Sequence, residues 1–343
     1  MNVIAVDAMG GDLAPREIIK GAIQALQEQN IRILLVGAVE IINRELEFCL
    51  SSVAIGNNLK DRLDIIAAEE LVTMDEDPVT AVRKKKNSSI VVATQLVRNS
   101  QADAVVSAGS TGAQMAAASL LLGRIHGIER PAVATILPSP SGPKILIDSG
   151  ANVDCRAKHL LQFGYLGSIF AQVALAIDKP RIGLLNVGEE AGKGNELTKA
   201  SFQLLTQSDL NFIGNVEGRD LFVDKCDVIV CDGFIGNVVL KTAEGLAKAI
   251  ISMTKETFYS SWRSRLGGYL ALPAFRQLQS NLDYKEFGGA PLLGVRKLSI
   301  ICHGSSDKKA ISNAIRRANE HINKELILRI EGAFKTQIEP DNL

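Results

Sequence analysis

The sequence predicts an α/β protein with a mixed, mostly parallel sheet flanked by helices. Two observations support this prediction. Short apolar runs alternate with longer helical patterns almost to the end of the chain, which is typical of strands connected by helices. Many of these runs end in glycine, aspartate, asparagine or serine, as strands do where an α/β sheet binds a ligand. The chain has 343 residues, 46% hydrophobic and 22% charged, which is enough for a large core.

The first predicted strand ends at Asp7, and Gly10 and Gly11 follow it before Asp12. A helical pattern begins after Pro15, a residue that suits the start of a helix. Glycines in such a turn let backbone amides approach a small anion, and the start of the helix favours negative charge. The alternative is a tight strand-to-helix turn without a ligand.

Further strands are predicted at intervals along the chain. They are 31–36, 63–67, 104–107, 132–137, 144–148, 181–187, 211–214, 227–231 and 298–302. Residues 137–143 hold the densest turn signal and are interpreted as a connection between two subdomains. We predict a single α/β catalytic domain over residues 1–343, with two subdomains and a cleft between them as the alternative.

Five loops after later strands share the small, polar composition of the first. They are 107–113, 148–152, 186–196, 231–237 and 302–306. Because the carboxyl ends of parallel strands meet at one edge of a sheet, we expect all six loops to line one crevice. The residues predicted to bind substrate in it are Asp7, Gly10, Gly11, Asp12, Ser110, Thr111, Gly112, Asp148, Asn152, Asn186 and Asn237.

Three side chains in these loops offer positive charge or proton transfer. Lys193 lies between two glycines, where a packing role is hard to explain, and His303 and Asp232 are candidate acids or bases. The alternative for His303 is a packed, hydrogen-bonded histidine, and that for Asp7 and Asp148 is the capping of a helix or turn. No GxSxG, HExxH or GxxxxGK[ST] motif is present, so none of those sites is predicted.

Charge and cysteine content exclude several classes of protein. Lysine plus arginine and aspartate plus glutamate number 38 each, so no global positive field predicts nucleic acid binding. The five cysteines lack CxxC spacing, which favours buried reduced thiols over zinc or disulfides. The first residues lack the basic and apolar regions of a signal peptide. The uncharged runs 104–123 and 160–177 contain polar residues, and predict a strand, loop and helix and a buried helix, not membrane spans.

A basic run is formed by Arg83, Lys84, Lys85 and Lys86. Its default interpretation is a solvated helix face. Such a run also suits contact with an acidic carrier domain or attraction of an anionic substrate.

Residues 255–276 combine five aromatic and four basic side chains with one glutamate. This composition favours an amphipathic hairpin, broken at Gly267 and Gly268, that contacts a membrane. It also fits the contact surface of a second subunit. The residues predicted to make the carrier-protein or membrane contact are Trp262, Arg263 and Arg265.

An ordered set of motifs extends over nearly the whole chain. They are Val6 to Asp12 with Ala14-Pro15, Val82 to Lys86 with Ser88-Ser89, 107–113, 147–152, 188–196, 232–237 with Leu240-Lys241-Thr242, 288–294 and 303–306. As a set they resemble the bacterial phosphate acyltransferases (acyl-ACP:phosphate acyltransferases) of phospholipid synthesis. One departure is Arg296-Lys297, near which the family usually has a glycine; it concerns a turn, not the function.

The resemblance implies a fold like that of phosphotransacetylases and of isocitrate and isopropylmalate dehydrogenases. It implies transfer of a fatty acyl group from acyl carrier protein to inorganic phosphate, whose product a membrane glycerol-3-phosphate acyltransferase uses. It also implies a homodimer at the cytoplasmic face of the membrane. We expect no cofactor, no metal and no nucleic acid partner.

The implied reaction needs no enzyme nucleophile, because phosphate itself attacks the thioester. We expect Lys193 to supply charge to the phosphate held near Gly10 and Gly11, and His303 or Asp232 to act as acid or base. The alternatives are a phosphotransacylase that uses short acyl-CoA, a dehydrogenase of the same fold, and a non-catalytic acyl-binding membrane scaffold.

Overall fold

A computed structural model describes the backbone of residues 1–51, 60–282 and 288–338. Side chains are described for residues 1–50, 61–277 and 288–335. The remaining parts of the predicted domain 1–343 lie outside the described residues.

Strands and helices alternate as predicted. The strands are β1 (Asn2–Asp7), β2 (Ile31–Gly37), β3 (Leu63–Ala67), β4 (Ala104–Ser107), β5 (Ala132–Leu137), β6 (Lys144–Ile147), β7 (Ile182–Leu185), β8 (Phe212–Val216), β9 (Val228–Val230), β10 (Ala290–Leu293) and β11 (Leu298–Ile301). The helices are α1 (Arg16–Glu28), α2 (Val39–Ser51), α3 (Pro78–Lys84), α4 (Ser89–Arg98), α5 (Thr111–Ala117), α6 (Ala157–Leu175), α7 (Glu196–Thr206), α8 (Gly233–Tyr259), α9 (Trp262–Leu282), α10 (Lys308–Asn323) and α11 (Leu326–Ile338).

Both uncharged runs form the elements that the sequence predicts. Residues 104–123 divide into β4, a loop and α5, followed by a short π-helical turn. Residues 160–177 lie mostly in the buried helix α6. Of the described helices, none is both long and apolar enough to cross a membrane.

The sheet has the strand order β3-β2-β1-β4-β11-β10-β5-β6-β9-β7-β8 within the described residues. Helices cover both faces of the sheet, and successive residues of each strand point to opposite faces. Ile4 and Val6 join a core shared with α1 and α10, whereas Ala5 joins the core under α4 and α5. The predicted fold class, a mixed and mostly parallel sheet between helices, is therefore confirmed.

The strand β10 is absent from the predicted set. It is only four residues long and contains Pro291, and glycines flank it on both sides, so its local signal is that of a turn. In the structure, β10 pairs with one neighbouring strand up to Pro291 and with the other neighbouring strand after it. Ala290 and Pro291 pair with β11, whereas Leu292 and Leu293 pair with β5.

Residues 138–143 form the hairpin turn between β5 and β6, which pair antiparallel in the same sheet. The turn signal that was interpreted as a subdomain connection thus joins two neighbouring strands. Because the pairs β11–β10, β10–β5 and β5–β6 are all antiparallel, the sheet contains two parallel groups that run in opposite directions. One group is β1, β2, β3, β4 and β11, and the other is β6, β7, β8 and β9.

This reversal puts the carboxyl ends of the two groups at opposite edges of the sheet. We call them the Asp7 edge, after β1, β4 and β11, and the Asp148 edge, after β6, β9 and β7. Seven strand spacings also separate β1 from β7, which amounts to roughly 30 Å at about 4.8 Å per spacing. The expectation that all six loops line one crevice is therefore wrong for a single chain.

Helices α8 and α9 form a helical arm. Gly233 and Gly236 are the buried residues of α8, and α9 packs along it with Phe258 and Phe275 in edge-to-face contact at 6.0 Å. The turn lies between the two helices, after Tyr259. The predicted break at Gly267 and Gly268 is wrong, because both lie inside α9. Gly268 instead allows close packing, since a Cβ there would lie 2.9 Å from the Phe258 ring.

Candidate active site

The Asp7 edge is organised by a carboxyl group that is 2% exposed. Asp7 Oδ1 accepts hydrogen bonds from the amides of Met9 and Gly10 at 3.2 and 3.1 Å, and Oδ2 accepts one from the Ser107 hydroxyl at 2.7 Å. Burial raises the pKa of Asp7, while these donors and nearby Ser89 oppose the rise. In every one of these hydrogen bonds the Asp7 oxygen is the acceptor, which is the pattern of an ionised carboxylate.

The turn after β1 packs tightly against the loop after β11. The Asp12 amide donates to the Gly304 carbonyl at 2.8 Å, and Gly11 has φ +112°, where a Cβ would lie 3.1 Å from the Gly304 oxygen. The Gly10 and Asp12 amides are thus occupied within the protein. The sequence analysis expects amides of this turn to bind phosphate. These two are not available to it, because Asp7 and Gly304 already accept hydrogen bonds from them.

The loop after β4 leads into α5 and brings free helix-start amides to this edge. The Ser110 hydroxyl accepts from the Ala113 amide at 3.4 Å, and Thr111 and Gly112 form the first turn of α5, where backbone N–H groups have no partner in the helix. Gly112 is required here, because a Cβ would lie 2.7 Å from Pro78 Cγ.

A small pocket opens between these loops and the start of α4. Its lining residues are Asp7, Gly10, Leu71, Val72, Ser89, Ile90, Gly109, Ser110 and Ala113. Ser89 is 1% exposed, and its hydroxyl lies beside the Asp7 carboxyl, whose pKa it lowers as a side-chain hydrogen-bond donor. The sequence analysis assigns no role to Ser89, although the Ser88-Ser89 pair belongs to one of the recognised motifs.

His303 extends the Asp7 edge from the loop after β11. Its Nδ1 accepts from the Ser305 amide at 3.2 Å and lies 2.9 Å from the Ser305 hydroxyl. These contacts leave the proton of the neutral ring on Nε2. Partial burial, with Lys241 and Lys248 nearby, lowers the pKa of His303, so the ring is neutral near pH 7.

The Asp148 edge is built on a second buried carboxyl group, which is 0% exposed. Asp148 accepts five hydrogen bonds of 2.7 to 3.2 Å. Four come from the amides of Val133, Gly150, Ala151 and Asn152, and the fifth comes from the Asn152 side chain. Burial raises its pKa, and the five donors saturate its acceptor capacity. Asp148 therefore holds its own loop together, as in the capping alternative.

Asp232 and Asn237 also lie at the Asp148 edge, at the start of α8. Asp232 is the N-cap residue of α8, and its Oδ1 accepts from the Ile235 amide at 2.9 Å. Asn237 is exposed and lies against Gly150. One turn further along α8 from Asn237 is Lys241, whose charge lowers the pKa of His303 at the Asp7 edge. The helix α8 therefore extends from the Asp148 edge toward the Asp7 edge.

Lys193 lies in the loop after β7, farther along the Asp148 edge. Its carbonyl accepts from Asn186 Nδ2 at 3.1 Å, so Asn186 shapes this loop. The ammonium group is exposed and makes no ion pair within the described residues. Its distance from β1 means that Lys193 and Gly10 cannot hold the same phosphate within one chain, which corrects that expectation.

The basic run and the aromatic segment are surface features. Arg83, Lys84 and Lys86 are exposed, whereas Lys85 is held by Glu76 at 2.7 Å and by the Leu71 carbonyl at 2.8 Å. The run ends at Lys86, and two residues separate it from α4, whose first residues line the pocket.

In the helical arm, Trp262 is 71% exposed and the Arg263 guanidinium lies 5.3 Å from its ring centre. Arg265 is exposed in the same turn. Both basic surfaces are therefore accessible in a single chain.

The arrangement suits chemistry on an anion without a covalent enzyme intermediate. The Asp7 edge combines the start of α5 with a neutral histidine, which together bind and polarise oxyanions. The side chains described contain no cluster of three or more metal-binding groups.

The fold can be compared with those of solved structures. The chain is similar to a phosphotransacetylase from Streptococcus pyogenes, with a TM-score of 0.63, 18% identity and 94% of each chain covered. This likeness shows the fold, as predicted.

Comparison with related sequences identifies the family. The model of the fatty acid synthesis protein family matches residues 2–329. A phosphate acyltransferase of Heliobacterium modesticaldum is 53% identical over 98% of this chain and 99% of its own. Another, from Pelotomaculum thermopropionicum, is 52% identical over 97% and 95%. The chain belongs to this family and is an acyltransferase, which confirms the predicted family and enzyme class.

Proposed function

We propose that the protein transfers a fatty acyl group from acyl carrier protein to inorganic phosphate, giving acyl phosphate for phospholipid synthesis. The observation that carries the proposal is the 53% identity to a phosphate acyltransferase over nearly the full length of both chains. The Asp7 edge supports it, because helix starts and neutral donors suit an anionic nucleophile.

In the proposed reaction a phosphate oxygen attacks the thioester carbonyl carbon. A C–O bond forms, the C–S bond breaks, and the electron pair leaves with the thiolate of the carrier. The protein holds the two substrates together and stabilises the oxyanion. The first-turn amides at Ser110 to Gly112 and the Nε2–H of His303 are the donors that the structure offers at the Asp7 edge.

Between the two candidate acid or base residues, the geometry favours His303. Asp232 caps α8 at the opposite edge of the sheet, whereas His303 follows β11, two strands from β1. Because Nδ1 of His303 accepts from Ser305, the neutral ring acts through Nε2–H. We therefore propose that His303 is a hydrogen-bond donor to the oxyanion.

The basic patch formed by Arg83, Lys84 and Lys86 is the proposed contact for the acidic carrier protein. Replacing Arg83 and Lys84 with glutamate should raise the apparent KM for acyl carrier protein several-fold at low salt, with a smaller effect at high salt. Lys335→Glu, at an exposed position on α11, is the matched control. A KM that charge reversal leaves unchanged at low salt would place the carrier contact elsewhere.

The helical arm is the proposed contact with the membrane surface and with a second copy of the chain. It exposes Trp262, Tyr269 and Leu270 by 71 to 75%, close in sequence to the exposed Arg263 and Arg265. Aromatic and basic residues together suit a lipid interface. Leu246, Ile250 and Met253 form an exposed apolar stripe of α8 that suits helix-to-helix contact.

The test of the proposed function is formation of acyl phosphate from acyl carrier protein thioester and inorganic phosphate, with and without liposomes. We expect phosphate-dependent release of free carrier protein together with acyl phosphate, and a higher rate when liposomes are present. Release of coenzyme A from short acyl-CoA, but no carrier release, would favour the phosphotransacylase alternative. No turnover of either donor would favour an acyl-binding scaffold.

A further inference from the structure

A cavity of about 500 Å³ lies between α1, α2 and the edge strand β3. We call it the α2 groove. Its apolar lining consists of Ile23, Leu26, Leu46, Leu50, Leu63 and Ile65. Cavities that bind small molecules are typically about 300–1,000 Å³ and mostly apolar, so the α2 groove has the size and the lining of a ligand site.

The groove has an apolar floor and a polar rim. Leu26 and Leu46 are buried, whereas Asn43 and Glu47 are exposed on α2. Asp64, the other charged lining residue, is also accessible to water and forms an ion pair with Arg32 at 2.7 Å. A ligand inside the groove therefore contacts apolar side chains, which favours a hydrocarbon over a polar or ionic molecule.

The groove follows the length of α2. Val39 and Leu50 both line it. Eleven residue steps of an α-helix extend about 16 Å, on the order of the length of an extended dodecanoyl or myristoyl chain. The length and the lining together fit a fatty acyl chain.

The near end of the groove lies at the Asp7 edge. Strand β2 is parallel to β1, and Val36 pairs with Asp7, so α2 begins at Val39 just beyond the carboxyl end of β2. Met9 packs against Gly37 in between, since a Cβ at Gly37 would lie 2.5 Å from Met9 Cγ. The flexible apolar side chain of a methionine adapts well to an alkyl chain. Apolar surface thus connects the turn after Asp7 with the start of the groove.

The far end of the groove lies at the amino end of β3. Arg62, directly before this strand, donates hydrogen bonds to the carbonyls of Leu26 and Gln29, both at 2.7 Å. These bonds tie the start of β3 to the end of α1. They hold Leu63 and Leu26 in the positions from which both line the groove.

We infer that the α2 groove binds the fatty acyl chain of the donor, with the thioester at the Asp7 edge and the methyl end of the chain near Leu63. This inference deepens the proposed function and rests on it. Because each buried CH₂ group strengthens binding about fourfold, the groove gives the enzyme a preference for long acyl chains.

The position of the chain is tested by photolabelling, which needs no variant. The probe is acyl carrier protein loaded with a palmitoyl thioester that carries a diazirine near its methyl end. Irradiation with the full chain, without phosphate, followed by mass spectrometry, should place the label in peptides that contain residues 39–50 or 63–65. A label confined to the helical arm, or to any other part of the chain, would overturn the inference.

The length of the groove is tested by Leu63→Trp, which fills its far end. Palmitoyl thioester reaches this end and octanoyl thioester does not. The variant should therefore lower the ratio of kcat/KM for palmitoyl to that for octanoyl thioester about tenfold or more, since each CH₂ group that loses its site costs about fourfold. Steady-state kinetics with both thioesters measures the ratio. An unchanged ratio in the folded variant would contradict the inference.

Leu328→Trp is the matched control, because Leu328 is 61% exposed on α11, away from the groove. It should leave the ratio as in the unmodified protein. Thermal unfolding shows whether each variant is folded. If Leu63→Trp is not, Val39→Trp replaces it, at a position that is 38% exposed at the near end. It should lower kcat/KM for both thioesters, because both chains pass Val39, and unchanged kinetics would contradict the inference.

Failure of the proposed function has a different signature. In that case acyl phosphate is not formed from the thioester and phosphate, while the photolabel, which is measured without phosphate, still marks the α2 groove.

Discussion

The two edges of the sheet use the same local device for different purposes. Asp7 and Asp148 both end a buried strand, both are almost fully buried, and both precede a loop of small residues. Asp148 accepts five hydrogen bonds and has no capacity left. Asp7 accepts three, and the Ser89 hydroxyl beside it is a further donor. Asp148 is enclosed by its own loop, whereas Asp7 lies at the edge that also carries His303.

The largest effect that would test this difference is on stability. Asp148→Ala leaves five donors without an acceptor in a buried loop and should lower the free energy of unfolding by about 3–5 kcal/mol. Denaturant unfolding measures this loss. Asp7→Asn, which keeps an acceptor for two of its three donors, should cost much less. Equal losses at the two positions would show that Asp7 is also purely structural.

At the Asp7 edge, His303→Ala should lower kcat about 10²–10³-fold with folding intact, because an oxyanion donor is lost. His303→Gln should recover part of this loss, since its side-chain amide supplies an N–H donor. Steady-state kinetics with acyl carrier protein thioester measures both. Full activity of the alanine variant would remove His303 from the reaction.

The pH dependence of the same residue gives a second measurement. The pKa of His303 lies below its ordinary value of 6.5, so the neutral ring should persist as the pH falls to 6.5 and should protonate only below it. Protonation ends the acceptance from the Ser305 amide, so activity should fall there. Lys241→Met removes a cation that lowers this pKa and should shift the fall to higher pH. An unchanged profile would contradict the assignment.

At the Asp148 edge, Lys193→Ala tests the separation of the edges. We expect kcat and kcat/KM for the acyl donor to stay near those of the unmodified protein, because the proposed reaction takes place at the Asp7 edge. The KM for phosphate should not change, because Lys193 lies roughly 30 Å along the sheet from β1 of its own chain. Phosphate titrations of the variant measure this. An increased phosphate KM would contradict the separation, and only a second copy of the chain could explain it.

A small effect, on stability alone, is expected at Asp232. Asp232→Ser preserves a side-chain acceptor for the start of α8 and should leave kcat and thermal stability nearly unchanged. Asp232→Ala removes the cap and should cost about 1 kcal/mol. Thermal unfolding and the acyl phosphate assay together measure both variants. A large loss of activity in Asp232→Ser would return Asp232 to the catalytic candidates.

Local patterns in the sequence are enough to predict the class of fold and most of its elements. Alternation of apolar runs with helical patterns depends on local periodicity, which the chain carries everywhere, so strands such as Ala104–Ser107 and Leu63–Ala67 were predicted at their observed bounds. The same local signal located Asp7, Ser110 and His303 at strand ends. The short strand Ala290–Leu293, which has a proline and flanking glycines, has no such signal.

Which strand ends meet, in contrast, depends on how distant parts of the chain pair in the folded protein. The direction of each strand depends on pairing between distant segments, and the hairpin at 138–143 contributes to a reversal that no local pattern reveals. This reversal separates Lys193 from Gly10, although the sequence analysis expects them to bind the same phosphate. The folded structure also distinguishes Asp7 from Asp148 and reveals Ser89, because the number of hydrogen bonds around a buried group depends on contacts that only the folded chain makes.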